Sequence, residues 1–262
     1  MRTVRKVPTH TSDGTVSARM YRFLLRPRWI AFHLLVLGAF VLMVNLGFWQ
    51  LRRLDERQTF NDRVNERIDA PPVAFDELVP TDAGVGDDVL DKVEWRPAQV
   101  HGEYLPDEQF VVVNRSQSGQ PGEMIVTPMA LGDGRILLIE RGFVPLGTDA
   151  AAPPSGDVTV RGRTRQSQAH RRGQVTDAAE GELAEVQRLD IARLAEQIPG
   201  RVIPVYHELT NSQPAETGPY PVPVLAPELT SGPHLSYAGQ WFIFSLCAVV
   251  GWVFAVRKSA RV

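Results

Sequence analysis

Two long runs without one Lys, Arg, Asp or Glu constrain this chain more than any other feature. The second reads YAGQWFIFSLCAVVGWVFAV from Tyr237 to Val256 and is closed by Arg257 and Lys258. At a helical rise of about 1.5 Å per residue it spans roughly 30 Å, the thickness of a bilayer's hydrocarbon core. The first, WIAFHLLVLGAFVLMVNLGFWQ, covers Trp29 to Gln50. It is longer than a signal-peptide core, and Leu51, Arg52 and Arg53 follow it where a small-residue cleavage site would stand. Both runs read as transmembrane helices, with Trp29 and Trp49 as an aromatic belt at the two ends of the first. A second helix starting at Pro233, which suits a first helical position, puts His234, Tyr237, Trp241 and Ser245 on one face at one membrane surface.

Charge is distributed to match. Residues 1–28 carry seven basic side chains against Asp13, and residues 257–262 carry three and no acid; the segment between the apolar runs holds 18 basic and 29 acidic residues. Basic ends and an acidic middle suit a chain whose termini stay in the cytoplasm while its middle is translocated. Nucleic acid is excluded as a partner of so acidic a domain. Residues 1–28 read as a disordered basic cytoplasmic tail, the competing reading being a mitochondrial presequence. Arginine outnumbers lysine 25 to three, which favours a bacterial plasma membrane over a mitochondrial inner membrane. The single cysteine, Cys247, lies inside the second run, so no intramolecular disulfide can form.

Between the runs, Leu51 to Ile68 is amphipathic and continues the first helix until Ala70, Pro71 and Pro72 stop it. Phe75 to Leu78 reads as a turn of helix and 82–88 as a loop. From Val93 the pattern changes to short strands: 95–104, 109–114, 124–130, 135–140, 158–165 and 202–209, with Gly132-Asp133-Gly134 making a hairpin of the third and fourth. Asp190 looks like the N-cap of a helix that Pro199-Gly200 ends, and the proline-rich stretch 214–233 returns the chain extended. The expected fold class is therefore an α+β membrane protein. Two transmembrane helices (29–50 and 234–256) bracket one mostly-β extracytoplasmic domain (51–233) with a short helix, and a basic cytoplasmic tail (257–262) ends the chain.

The domain carries no G-x-S-x-G elbow, no H-E-x-x-H, no phosphate-cradling glycine loop and no Cys/His ligand pair. His101, His170 and His207 stand without an acidic or nucleophilic neighbour at a telling spacing, so an enzyme is the weaker class of reading. Convergence is the stronger signal. Trp49, Gln50, Arg52 and Arg53 leave the first helix at the surface where His234, Tyr237, Gln240 and Trp241 enter the second. An imidazole, guanidiniums and aromatic walls suit a flat, acidic, largely apolar ligand such as haem, because His binds iron and Arg pairs with propionates. The same residue types also occur at helix ends as interfacial anchors.

These stretches resemble the surfeit locus protein 1 family of assembly factors for haem-a-containing cytochrome c oxidase. Leu46-Gly47-Phe48-Trp49-Gln50-Leu51 with Arg53, Gly122 with Thr127-Pro128, Arg141-Gly142-Phe143-Val144-Pro145, and His234-Leu235-x-Tyr237-Ala238-x-Gln240-Trp241-Phe242 follow the family's motifs in order. Phe143 stands where tryptophan is usual, and Gly232-Pro233 stand where asparagines precede the histidine. The resemblance implies a two-pass membrane protein, not an enzyme, that matures the oxidase catalytic subunit, with haem a synthase as a further partner. It also implies haem a, held stably or transiently, as cofactor. His234 is then the expected haem-iron ligand, Arg53 and Arg141 the propionate or partner contacts, and Trp49, Gln50, Tyr237 and Trp241 the pocket wall. For Arg141 the alternative is a turn and salt bridge inside the β domain. For the whole chain it is a ligand-free structural chaperone or accessory subunit, with Gly251 and Ala255 lining a helix contact.

Overall fold

In the computed structural model, residues 22–79, 87–168, 170 and 173–261 are described. The expected tail 1–28 and the loop 82–88 fall largely outside them. The chain divides into two compact units, one made of the described residues up to Asn61 with those from Leu229, the other of Asp62–Glu228.

In the first unit, α1 (Pro27–Ile68) is one unbroken 42-residue helix, whose last turns belong to the second unit. The amphipathic continuation after Gln50 is therefore fully helical, and it ends where Pro71 and Pro72 cannot continue it. Helix α5 (His234–Ser259) begins where the 234–256 span was expected to begin, with Pro233 at its N-cap, and runs three residues further. Both helices are long and apolar enough to cross a membrane, and their apolar windows are almost wholly exposed, which supports a membrane protein. They run antiparallel, joined near one end by His234 with Gln50 and near the other by Trp252 with His33. Seventeen residues separate His33 from Gln50, so the two polar links stand about 26 Å apart along the helix, close to the width of an apolar layer.

Residues Asp62–Glu228 form the sheet unit. Its strands are β1 (Val73–Ala74), β2 (Pro97–Tyr104), β3 (Phe110–Gln117), β4 (Gln120–Ala130), β5 (Arg135–Pro145), β6 (Asp157–Gln166), β7 (Glu185–Val186) and β8 (Arg201–Gln213). They lie in the order β1-β2-β6-β8-β5-β4-β3-β7, and β2 also pairs with β4 through Glu103↔Ala130 and Tyr104↔Met129. Strands β2, β6, β8, β5 and β4 thus close into a five-stranded barrel, which removes the open edges that a flat sheet would expose. Inside it pack Val100, Met129, Leu137, Ile139, Val160 and Val205, and α2 (Phe75–Leu78) adds Phe75 to the same core. On the outer face, Phe110, Val126, Leu138 and Tyr206 are covered by Val186, Leu189 and α4 (Ile191–Leu194).

Several elements differ from the sequence-based expectation. Strands β4, β5 and β8 are longer, and α3 (Asp87–Val93) and the edge strand β7 were not anticipated. Helix α4 is one turn instead of two, and Asp190 occupies its N-cap without a side-chain hydrogen bond. The motif Arg141-Gly142-Phe143-Val144-Pro145 is strand, not turn, with a register shift at Ile125/Val126 opposite it. Gly142 has φ +145, and a Cβ there would stand 2.1 Å from the Val222 carbonyl oxygen. Only glycine lets segment 220–224 pair so closely with β5, through Phe143 N–H to Val222 O at 2.8 Å and its reciprocal at 3.0 Å.

Two adjacent rows across the barrel wall carry opposite chemistry. Thr127, Ile139, His207 and Thr164 are cross-strand neighbours, as are Glu140, Glu208 and Arg163 one residue further on. His207 is fully buried, 3.0 Å from the Thr164 hydroxyl and edge-on to Phe75, and burial lowers its pKa to about 3. Burial, reinforced by Glu208, raises Glu140 to about 7 against the opposing pull of Arg165, Arg115 and Arg163. Between pH 3 and 6.5 the unfolded chain binds the extra proton at His207, so stability rises with pH; between 4.5 and 7 the folded chain holds it at Glu140, so stability falls with pH. The two slopes, each about 1.4 kcal/mol per pH unit, oppose one another from 4.5 to 6.5. Glu140→Gln is expected to remove one slope, so that its stability relative to wild type grows by about 2 kcal/mol between pH 5 and 6.5. Urea unfolding at both pH values measures this, and a constant difference would contradict it.

Candidate functional site

The residues expected at the helix ends fall into two groups. His234 Nδ1 donates to Gln50 Oε1 at 2.8 Å, across 184 residues of sequence. Because a carboxamide oxygen only accepts, this bond fixes the tautomer: Nδ1 carries the proton and Nε2 keeps its lone pair. Nε2 makes no hydrogen bond among the described residues. Gly232, at φ +64, leaves the flank of the ring open, since a Cβ there would stand 3.5 Å from Nε2. An imidazole held through Nδ1 with a free Nε2 is the arrangement that suits a metal ligand, the outer partner fixing the ring and raising its basicity. The donor set therefore fits haem iron. The orienting partner that the missing asparagines would have supplied comes from the other helix.

One turn along α1, the Arg53 guanidinium lies over the Trp49 ring, 5.8 Å from its centroid, and pairs with Glu56 at 2.8 Å. Trp49 and Tyr237 are 43% and 47% exposed, so the site is an open aromatic surface and not an enclosed cavity. Trp241 is half-buried, edge-on to Phe244. Helix α5 carries His234, Tyr237, Trp241 and Ser245 on the expected common face, on which Ser245, with Ala238 beside it, is buried while Tyr237 stays exposed.

The helix contact itself uses a glycine the sequence reading had placed only in a motif. A Cβ on Gly47 would meet the Phe242 ring at 2.6 Å, and Phe48 packs edge-on to the same ring. Gly251, expected to line a docking contact with a partner, has nothing within 4 Å of a built Cβ, and at that end of the pair Trp252 donates to His33 Nδ1 at 2.8 Å. His33 is thus a helix-packing histidine.

Arg141 is the second correction. It lies in the sheet unit, fully buried, with Nε and Nη2 on Glu216, Nη1 on Gln109 Oε1 at 3.1 Å and Nη2 also on the Ala151 carbonyl at 2.9 Å. Its donors are committed inside the fold, joining the linker at Ala151 and the proline-rich return at Glu216 to the barrel. Gln109 in turn accepts from the buried Thr127 hydroxyl at 2.9 Å, so two of the motifs meet at one polar cluster. Glu216, 75 residues from Arg141 in an irregular stretch, carried no signal that one sequence could reveal.

The remaining histidines among the described residues hold structural partners: His101 with Thr159 and Gln99, His170 with Thr176 and the Gln174 carbonyl, His207 with Thr164.

An uncharacterized SURF1-like protein of Mycobacterium bovis is 28% identical over 235 residues, which is 87% of this chain and 83% of the relative. SURF1-like proteins of Rickettsia felis and Dictyostelium discoideum are each 26% identical over shorter stretches, 42% and 39% of this chain and 45% and 38% of their own lengths. The family model described as SURF1 family matches residues 37–246, from the middle of α1 past Ser245 of α5, so the chain belongs to the SURF1 family.

Proposed function

We propose that this protein is a two-pass membrane factor for the assembly of haem-a-containing cytochrome c oxidase, and that it binds or hands over haem a beside the Gln50–His234 end of its helix pair. Family membership implies oxidase assembly and not catalysis. The observation that carries the haem reading is the His234 imidazole, oriented by Gln50 with Nε2 free. Haem supplies an iron that takes an axial imidazole and two propionates that take cations. His234 is the axial ligand, Arg53 the propionate partner, and Trp49, Tyr237 and Trp241 offer ring faces to the macrocycle. Arg53 is exposed and tethered to one carboxylate, so it can turn toward a ligand without breaking a buried pair. Basic residues at both ends of the chain support cytoplasmic termini with the sheet unit on the far side of the membrane, and the excess of arginine over lysine supports a bacterial plasma membrane.

Complementation of a deletion strain tests this reading. Wild-type protein is expected to restore haem-a-containing oxidase, and His234→Ala, present at equal level in the membrane, to leave it several-fold lower. Full restoration by His234→Ala, with oxidase subunits still co-purifying from cells that lack haem a, would replace the haem reading by ligand-free docking.

A further inference from the structure

A cavity of about 890 Å3 lies in the sheet unit, and its wall includes Arg115, Arg165 and Arg188 with Glu94, Gln168 and Gln187. Each of the three arginines is half-buried and held by one end. Arg115 Nη2 donates to the Gln187 carbonyl at 3.0 Å, Arg188 Nη2 to the Val175 carbonyl, and Arg165 Nη1 to the Glu208 carboxylate. The other N–H groups of Arg115 and Arg188 make no hydrogen bond among the described residues. Arg165 is further fixed flat over the Trp95 ring, 3.5 Å from its centroid, and Trp95 is itself held at φ +69, a conformation rare for so bulky a residue. Its Nε is buried without a hydrogen-bond partner and stands 3.6 Å from Glu94, the only acidic residue on the described wall.

We propose that this cavity binds an acidic peptide segment of a protein partner. The segment between the two apolar runs carries 18 basic and 29 acidic residues, so Arg115 and Arg188, beside an Arg165 already paired with Glu208 and Glu94, make a local exception that an acidic partner would find. The volume, about 890 Å3, is that of a site for several residues and not for one compact inorganic ion. Gln187, whose Oε1 accepts from Asn114, keeps its Nε2 for a peptide carbonyl, and guanidiniums suit the peptide's carboxylates. The inference deepens the assembly reading by naming the kind of segment the partner presents. It needs neither haem nor oxidase, so each can fail alone.

The test is fluorescence anisotropy of labelled hexaglutamate with the full chain in detergent. Saturable binding is expected, weakened about ten-fold or more between 50 and 500 mM NaCl. Arg188→Gln is expected to weaken it at least about five-fold, and Glu94→Gln to tighten it about two-fold or more, a gain that a misfolded variant cannot imitate. Absence of binding, or affinity unchanged in both variants, would overturn the proposal. Equal competition by free glutamate or inorganic phosphate would also overturn it, in favour of a small-anion site.

Discussion

Arg141→Ala is expected to destabilise the sheet unit by about 3–5 kcal/mol, because removing one partner of a buried ion pair leaves the other charge uncompensated. The guanidinium is fully buried and its partner Glu216 is 17% exposed, so water replaces little of what is lost. Gln109 and the Ala151 carbonyl lose donors at the same time. The two segments that Arg141 ties down, near Ala151 and near Glu216, should then come loose from the barrel. Arg141→Lys keeps the charge but not the planar fork that reaches Glu216, Gln109 and Ala151 together, so it is expected to recover only part of the loss. Urea unfolding followed by the circular dichroism of the sheet measures both variants, and limited proteolysis at 214–224 reports release of the return segment. A loss below about 1 kcal/mol for Arg141→Ala, the size of an exposed pair, would contradict the structural assignment.

The same residue shows where sequence reading stops. Arg141-Gly142-Phe143-Val144-Pro145 stood out as a motif, but its partners, Glu216 and Val222, lie about 75 and 80 positions downstream in an irregular stretch without periodicity. Nothing local in the sequence separates a guanidinium that meets a ligand from one that holds two loops. The apolar runs were legible because length and absence of charge are properties of a single segment. Strands of the barrel were legible by alternation, yet their closure was not, since β2 meets β4 through Glu103↔Ala130 and Tyr104↔Met129 only after four other pairings are made. Helix α4 was overextended because Ile191, Leu194 and Ile198 share helical spacing, whereas the structure buries all three after a single turn. At the helix pair, sequence brought Gln50 and His234 to the same surface but could not show that the one orients the other. It also set Tyr237 beside His234 on the face that ends in the buried Ser245, but could not show that Ala238 joins that seam.

His234 is the centre of the functional account, and its chemistry follows from one hydrogen bond. With Gln50 accepting from Nδ1, Nε2 is the atom that would hold iron on the proposed reading, and loss of Gln50 frees the ring to turn. Gln50→Ala is therefore expected to weaken haem binding about ten-fold or more while leaving the ligand atom in place, and His234→Ala to abolish axial ligation. The direct measurement is the optical spectrum of wild-type, Gln50→Ala and His234→Ala protein, purified in mild detergent from cells that synthesise haem a. The account predicts a haem a absorbance in wild type, less in Gln50→Ala and least in His234→Ala. Equal haem content in wild type and His234→Ala would contradict it.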